Sequence, residues 1–563
     1  MSDALRDLRV LALDCQASGA TPAYGDLLEL GWAVCAPDGI VGDVRSHWIV
    51  PRTERRVPRA VRELTGWSEE CLGAAVDEAL AWNGVRAHAV ELATNGAGAP
   101  TVIHFARFEL PFLHDLHARL GNDEAFPLDA LCIHAVAARL FPDLPRRNIR
   151  ALAGYLGHSP ELIRRCAGHV TATAFIWRAL VPLLEGAGVT TWSELKEWIA
   201  TAPSQPRRAK RRFPFSAEQR RALPDRPGVY RFLRKSGDIL YVGKATSLKK
   251  RIAGHFKSSG PATERGLELL TQVNDIRYTE TPSLLEAALL EADEIKRIDP
   301  PYNVQLRTGE RRAWFASRDL WEAVPVADAA HPVGPLPSER AVSGLAALAE
   351  LVRGDRPTPR LRCIALAVPS AFAPEPELFD EGWRGFTTDI IDRYGGLAPS
   401  PSRRVGVASR ALWLERGRTE ETSSAEDAPP DHWDVPRVRR RLERNLVQAG
   451  LLVRRARFLS LLADATVAYR ERQMPTARAL VLSSARLVEC RDLASMSDVA
   501  TLDPRPPSPL GARQIAFDAA AYDRLRVIVT ELSRIRDEAG EIAVRIGRHT
   551  FAGERMTRLM NAL

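Results

Sequence analysis

Two tyrosines, an arginine, a histidine and one carboxylate follow each other over residues 228–303 in an order that suits phosphodiester chemistry. Gly228-Val229-Tyr230 precedes Tyr241-Val242-Gly243-Lys244, then come Arg251, His255, Glu291 and Pro301-Tyr302-Asn303. A phenol can take a proton from water. A guanidinium can stabilise the extra charge on a pentavalent phosphate. A carboxylate can hold a divalent cation on the scissile group. Each residue also has a plainer reading. A strand tyrosine usually packs, a helix arginine is usually solvated, and Glu291 could pair with Lys296 or Arg251.

Local pattern supplies the elements that must position these groups. Val229–Leu233 and Ile239–Val242 read as a hairpin turned by Lys235-Ser236-Gly237-Asp238. Gly228 and Gly243 mark strand ends and allow close backbone approach. Ser247 caps a helix expected at 248–257. Leu248, Ile252 and Phe256 form its buried stripe, and Arg251 and His255 share a neighbouring face. Ser283-Leu284-Leu285-Glu286 reads as the capping box of a further helix. Glu291 borders the apolar face of that helix, where an unpaired carboxylate would be costly.

This order and spacing resemble the GIY-YIG nuclease family, most closely the N-terminal nuclease module of UvrC and its homologue Cho. The resemblance implies that Glu291 holds one Mg²⁺ (or Mn²⁺). It implies Tyr230 as the base for water, assisted by Tyr241, with Arg251 and Lys244 on the phosphoryl charge and Asn303 supporting the site. His255 stands where UvrC-type modules often carry another tyrosine, a departure expected to shift the pH profile.

Residues 8–180 resemble the DEDDh exonucleases, the DnaQ-like fold. Leu8–Asp14 and Leu27-Leu28-Glu29-Leu30-Gly31 are similar to its first strands, and Leu128-Asp129-Ala130-Leu131 to a later segment. That chemistry needs four carboxylates around two metal ions and a histidine base. Here Asp14-Cys15-Gln16 carries a neutral amide at the second acid, and Glu109 stands where aspartate is usual. His169 is followed by Ala174 at the position of the last acid. The expectation is a degenerate site that binds single strands or partners. Recruitment of Asp129, Asp143 or another carboxylate is the alternative.

The whole chain reads as an α/β multidomain protein. The expected order is an RNase H-like exonuclease fold (mixed sheet with helices) over 1–185, a basic Pro-rich linker over 186–222, and a small α/β GIY-YIG domain over 223–307. A UvrC/Cho-like accessory region over 308–416 follows, then a disordered linker over 417–433 and an α+β region over 434–563. In that last region Val435–Leu452 reads as a basic helix, 457–469 and 478–489 as strands, and 515–541 as helix. Within the first domain, 129–141 reads as helix and Pro51–Gly66 as a loop.

The chain has 563 residues, with 78 Lys+Arg against 70 Asp+Glu, a net charge of +8. That excess is compatible with a phosphate-binding protein if the charge is clustered. The seven cysteines form no CxxC pair, so neither a zinc site nor a disulfide framework is expected. A reducing, cytoplasmic compartment follows. No apolar run approaches the roughly 18 residues of a membrane span, and no signal peptide is evident.

Taken with the resemblance, these features imply a DNA-repair endonuclease that nicks one strand, directed by structure or damage, with DNA as substrate and UvrA/UvrB-type proteins as partners. A dual nuclease with an active 3′–5′ exonuclease is the first alternative, and a noncatalytic DNA-binding scaffold the second.

Overall fold

The computed structural model describes residues 3–53, 55–93, 98–120, 124–158, 164–201, 212–257, 263–303, 313–354, 357–396, 398–416, 432–502 and 519–561. Most of the basic linker stretch and most of the acidic stretch at 417–433 lie outside the described residues. The chain divides into two compact units, Met1–Glu280 with Pro300–Asn303, and Thr281–Asp299 with Val304–Leu563.

The first unit opens with a mixed five-stranded sheet. Its strands are β1 (Val10–Ala17), β2 (Leu27–Ala36), β3 (Gly39–Trp48), β4 (Ala99–Ile103) and β5 (Leu128–Cys132), ordered β3-β2-β1-β4-β5. β1, β2 and β3 are antiparallel, whereas β4 and β5 run parallel to β1. This is the mixed sheet expected of an exonuclease fold. β1 is buried along its whole length because helices cover both faces. β3 is more exposed and mixed in character, and its sequence carries no strong apolar signal.

Four expectations change here. Residues 128–132 are strand rather than helix, and the helix starts at Ile133. The periodicity of that stretch blended a short buried strand with the helix after it. Arg59–Thr65 forms a helix inside the loop read at Pro51–Gly66. Beyond the boundary read at 185, Thr191 caps a helix over Trp192–Ala200, and Trp192 and Leu195 enter the core of the first domain. Helix Cys166–Gly186 is long and apolar enough to cross a membrane by length and composition, contrary to the sequence reading. Its Val170, Ile176, Trp177, Leu180 and Leu184 fill the domain core, which accounts for that apolarity.

The unit continues with β6 (Gly228–Leu233), β7 (Ile239–Ala245) and β8 (Asp275–Glu280), antiparallel in the order β7-β6-β8. The hairpin matches the sequence reading. β8 does not appear in that reading, because its five polar residues among six conceal a strand. Leu248, Ile252 and Phe256 meet Tyr230 and Phe232 in the core of this small domain.

The second unit contains the helix Leu284–Ile298, which carries Glu291. Leu285 and Leu289 pack among Leu525, Ile528 and Leu532. The helix Val435–Leu462 continues ten residues beyond the expected end at Leu452. A five-stranded antiparallel sheet follows, ordered Arg486–Leu493, Ala477–Ser483, Ala465–Arg470, Glu541–Ile546, His549–Ala552. The run read as one strand at 478–489 is therefore two, turned at Ser484 and Ala485, both with positive φ.

Candidate active site

β6 and β7 bring the two tyrosines together by register. Tyr230 pairs with Gly243 and Phe232 with Tyr241, so Tyr230, Gly243 and Tyr241 share one face of the hairpin. The Tyr230 and Tyr241 rings lie 6.0 Å apart. A Cβ at Gly243 would come within 2.6 Å of the Tyr230 hydroxyl and 2.7 Å of the Tyr241 ring. At Gly228 it would come within 2.3 Å of the Thr279 carbonyl on β8. Both glycines are therefore required by close approach.

The helix Leu248–His255 supplies the other two groups. Ser247 caps it by accepting from the Lys250 N–H at 3.1 Å. One turn apart, Arg251 and His255 both face the tyrosines. The Tyr230 hydroxyl and His255 Nε2 are 2.7 Å apart. Arg251 hydrogen-bonds both phenol oxygens, and the two phenols interact with each other. Tyr230 is fully enclosed, at 0% exposure, whereas Tyr241 is half-buried.

Burial, reinforced by Tyr241 and opposed by Arg251, pushes the Tyr230 phenol far above its ordinary range. Burial and then the Arg251 charge lower His255 to about 4. Near neutral pH the imidazole is therefore uncharged and the phenol protonated, so the Tyr230 O–H donates and Nε2 accepts. The arrangement is a chain of exchangeable protons from Tyr241 through the enclosed Tyr230 to His255.

The remaining predicted residues divide. Asn303 is buried and clamps the free edge of β7: its Oδ1 accepts from Val242 N–H at 3.0 Å and its Nδ2 donates to Val242 C=O at 2.9 Å. It positions the Tyr241 strand. Lys244 follows Gly243, so the pleat directs it to the opposite face from the tyrosines. Glu291 is half-buried on a helix that belongs to the second unit. On the same helix, Lys296 donates to Asp523 at 2.6 Å. Ser283 caps the helix, but Glu286 accepts from the Tyr469 hydroxyl and from Arg478 instead of completing the expected capping box.

A family model described as the UvrC-like GIY-YIG domain matches residues 226–304. Residues 226–304 are a UvrC-like GIY-YIG domain. UvrABC system protein C of Alkalilimnicola ehrlichii is 47% identical over 95 residues, 17% of this chain and 15% of its own. A protein of Mycobacterium tuberculosis named as a bifunctional exonuclease/endonuclease is 27% identical over 329 residues, 57% of this chain and 48% of that protein. The chain thus spans about half the length of that relative and less than a quarter of the UvrC proteins it matches. Among solved structures, the magnesium-bound GIY-YIG N-terminal endonuclease domain of UvrC from Thermotoga maritima is 32% identical, with a TM-score of 0.14. It covers 16% of this chain and 93% of that one.

The first domain holds the second predicted constellation. Asp14 on β1 takes both oxygens to His169 Nδ1, at 3.0 and 3.1 Å. Burial lowers the imidazole pKa, but the Asp14 charge and hydrogen bond outweigh it and hold it above its ordinary value. Glu109 accepts from the Cys15 N–H at 2.9 Å. Burial and then Asp14 push its carboxyl well above the usual range, toward the neutral acid. Gln16 Nε2 donates to the Arg164 carbonyl at 2.5 Å, and Ala174 is buried. The alternative acid Asp129 is engaged by Trp192 Nε1 at 2.9 Å and Lys196 Nζ at 2.8 Å. Among the described residues, no group of three or more His, Cys, Asp or Glu side chains could hold a metal ion.

Sequence reasoning did not single out the groups that surround this constellation. His104, Arg147, Arg150, Arg164 and Glu268 line one cavity with Asp14 and His169. Glu268 and Tyr302 also form a bridge that the sequence reading lacks. Glu268 accepts from Asn148 Nδ2 and from the Tyr302 hydroxyl, each at 2.6 Å. Tyr302 precedes the Asn303 clamp, and only its place in Pro301-Tyr302-Asn303 could have drawn attention to it.

Proposed function

We propose that this protein nicks one strand of DNA by metal-dependent hydrolysis in the repair of damaged or irregular duplex. The Tyr241–Tyr230–His255 chain carries the reading. Tyr241, the half-buried one of the two phenols, meets the attacking water. Its proton moves to the enclosed Tyr230 as Tyr230 passes its own to neutral, half-buried His255. This reverses the order of the two phenols inferred from sequence, because Tyr230 is enclosed. Arg251, against both phenol oxygens, stabilises the phenolate and the phosphoryl charge that develop together. Lys244 is left out of the charge-stabilising set.

Glu291 is the residue that would hold the cation. A single carboxylate donor fits Mg²⁺, which keeps most of its waters and takes one or two protein carboxylates. When bound, the ion supplies Lewis-acid stabilisation of the scissile phosphate and leaving oxygen.

The first domain binds DNA or a partner and does not shorten strands. Its Asp14 is held by His169, its Glu109 tends to the neutral acid, and its second acid is Gln16. Recruitment by UvrA/UvrB-type proteins in a cytoplasmic setting completes the proposal.

The test is a nicking assay on lesion-bearing and intact duplex, with and without UvrA/UvrB, for the wild type, Tyr230→Phe and Glu291→Ala. Nicking that needs Mg²⁺ and falls at least about a hundredfold in both variants is expected. Full activity in chelator would sink the mechanism. Progressive shortening of a 5′-labelled single strand, kept in Glu291→Ala and lost in Asp14→Ala, would establish the dual nuclease instead. Unchanged activities in every variant would leave the noncatalytic scaffold.

A further inference from the structure

The exonuclease fold implies a pair of metal ions beside Asp14, and the residues present do not fit them. Gln16 cannot ionise, Ala174 offers no ligand, Glu109 tends to the neutral acid, and both oxygens of Asp14 face one imidazole. The cavity nonetheless has a volume of about 1020 Å³.

Its lining has two kinds of chemistry. One side brings together Arg147, Arg150 and Arg164. Arg147 Nη1 donates to the Phe141, Pro142 and Leu144 carbonyls, and among the described residues no carboxylate pairs with it. Arg164 is exposed and contributes its carbonyl to Gln16. Arg146 also reaches the cavity but is paired with Glu264 at 2.9 Å. Glu268, the carboxylate on the rim, already accepts from Asn148 and Tyr302. The other side is apolar: Val61, Leu64, Phe105 and Phe108, with Phe105 at 43% exposure.

Between them lies His104, only 6% exposed, with the Arg147 backbone beside its ring and no well-formed hydrogen bond at either ring nitrogen. Gln16 Oε1 is likewise buried and unpartnered. Burial and the neighbouring His134 and His169 keep His104 uncharged, with a pKa of about 3. A neutral imidazole offers one donor and one acceptor, and Gln16 adds an acceptor. Buried polar atoms of this kind are costly unless something pairs with them.

Guanidinium groups beside an aromatic and apolar wall match a nucleotide, which joins an anionic phosphate to a flat base. We propose that this cavity binds the terminal nucleotide of a DNA single strand without metal. Arg147, Arg150 and Arg164 hold the phosphate, Phe105 and Phe108 receive the base, and His104 and Gln16 receive its polar edge or sugar hydroxyl. The arginines take over the charge neutralisation that metal ions provide in a hydrolytic site, and the strand is held without being cut. This deepens the binding role proposed above for the first domain and rests on it.

The test uses the full chain and a fluorescent eight-residue thymidine strand, followed by anisotropy in EDTA and again in Mg²⁺. The expected affinities agree within about twofold, since no ion takes part. The double variant Arg150→Ala/Arg164→Ala should bind about tenfold or more weaker, from lost charge-assisted contacts. Its log affinity should fall less steeply with log salt, by about 1.4 for two phosphate contacts. Phe105→Ala should weaken binding separately, and circular dichroism melting checks that both variants fold. Thymidine 5′-monophosphate should compete at concentrations where inorganic phosphate does not.

Binding that requires Mg²⁺ overturns the inference. So does equal competition by phosphate, which would indicate a simple anion site. Strand binding that neither variant weakens refutes this cavity while the binding role survives elsewhere on the domain. No strand binding at all removes both.

Discussion

Replacing His255 by phenylalanine tests the proton chain most directly. The substitution deletes the acceptor 2.7 Å from the Tyr230 hydroxyl inside a cluster where Tyr230 has no solvent exposure. A stranded buried donor costs about 1–3 kcal/mol. The Tyr241 oxygen still lies beside that hydroxyl and can accept from it, so a loss of stability near the lower end, about 1 kcal/mol, is expected. The effect on nicking is larger, because a positioned proton acceptor contributes roughly 10²–10⁴-fold.

The pH dependence has a definite sign. His255 titrates at about 4 in the folded protein, below the ordinary histidine value of about 6.5. Between these values the unfolded chain binds a proton that the folded chain does not, so stability rises with pH through this window and is lost on acidification. The span corresponds to about 3 kcal/mol for this one group. His255→Phe should flatten that part of the stability profile. His255→Tyr should restore part of the nicking rate while moving its optimum to higher pH, because a phenol is a competent relay only when it can ionise. Single-turnover nicking of a lesion-bearing duplex from pH 5 to 9, together with urea melts across the same range, supplies both readouts. A phenylalanine variant that nicks within twofold of wild type, with an unchanged pH profile, would refute the relay.

Three further outcomes follow from the same geometry. Gly243→Ala places a methyl 2.6 Å from the Tyr230 hydroxyl, so it should spread the tyrosines and lower nicking by about tenfold or more while the circular dichroism spectrum stays native. Asn303→Ala strands the N–H and C=O of Val242 on the edge of β7 and should cost about 2–4 kcal/mol in a thermal melt, with nicking lost in parallel. Glu268→Ala removes the acceptor of the Tyr302 hydroxyl and of Asn148 at once. It should loosen the residue beside the Asn303 clamp and lower nicking by about fivefold with little change in apparent substrate affinity, read as a kcat loss without a KM change.

The residues of the tyrosine hairpin were legible in sequence because strand alternation and turn glycines are local rules. The spacing of Tyr230, Gly243 and Tyr241 already implies that they share a face, and the structure's register agrees. Leu248, Ile252 and Phe256 announced their buried stripe in the same way. Signals weakened where neighbours override local preference. β8 is polar because it lies at an edge with most side chains exposed, and residues 128–132 became strand because β4 offers a parallel partner. Glu286 looked like half of a capping box until Arg478 and Tyr469, nearly two hundred residues away, took its carboxylate.

The cavity beside Asp14 divides along the same line. Gln16 and Ala174 stand in the sequence, and a missing carboxylate cannot be restored by folding. What the amino-acid order determined by itself was therefore which groups exist: two phenols and a histidine in the hairpin domain, and Asp14, Gln16, Glu109 and His169 in the first domain. Only the tertiary structure decided their states. It enclosed Tyr230, left Tyr241 half-buried and held His255 neutral. It also gathered Arg147, Arg150 and Arg164 around the cavity beside Asp14. The physical reason is that identity and spacing are local, whereas burial, charge neighbourhood and proton affinity depend on atoms contributed by distant parts of the chain.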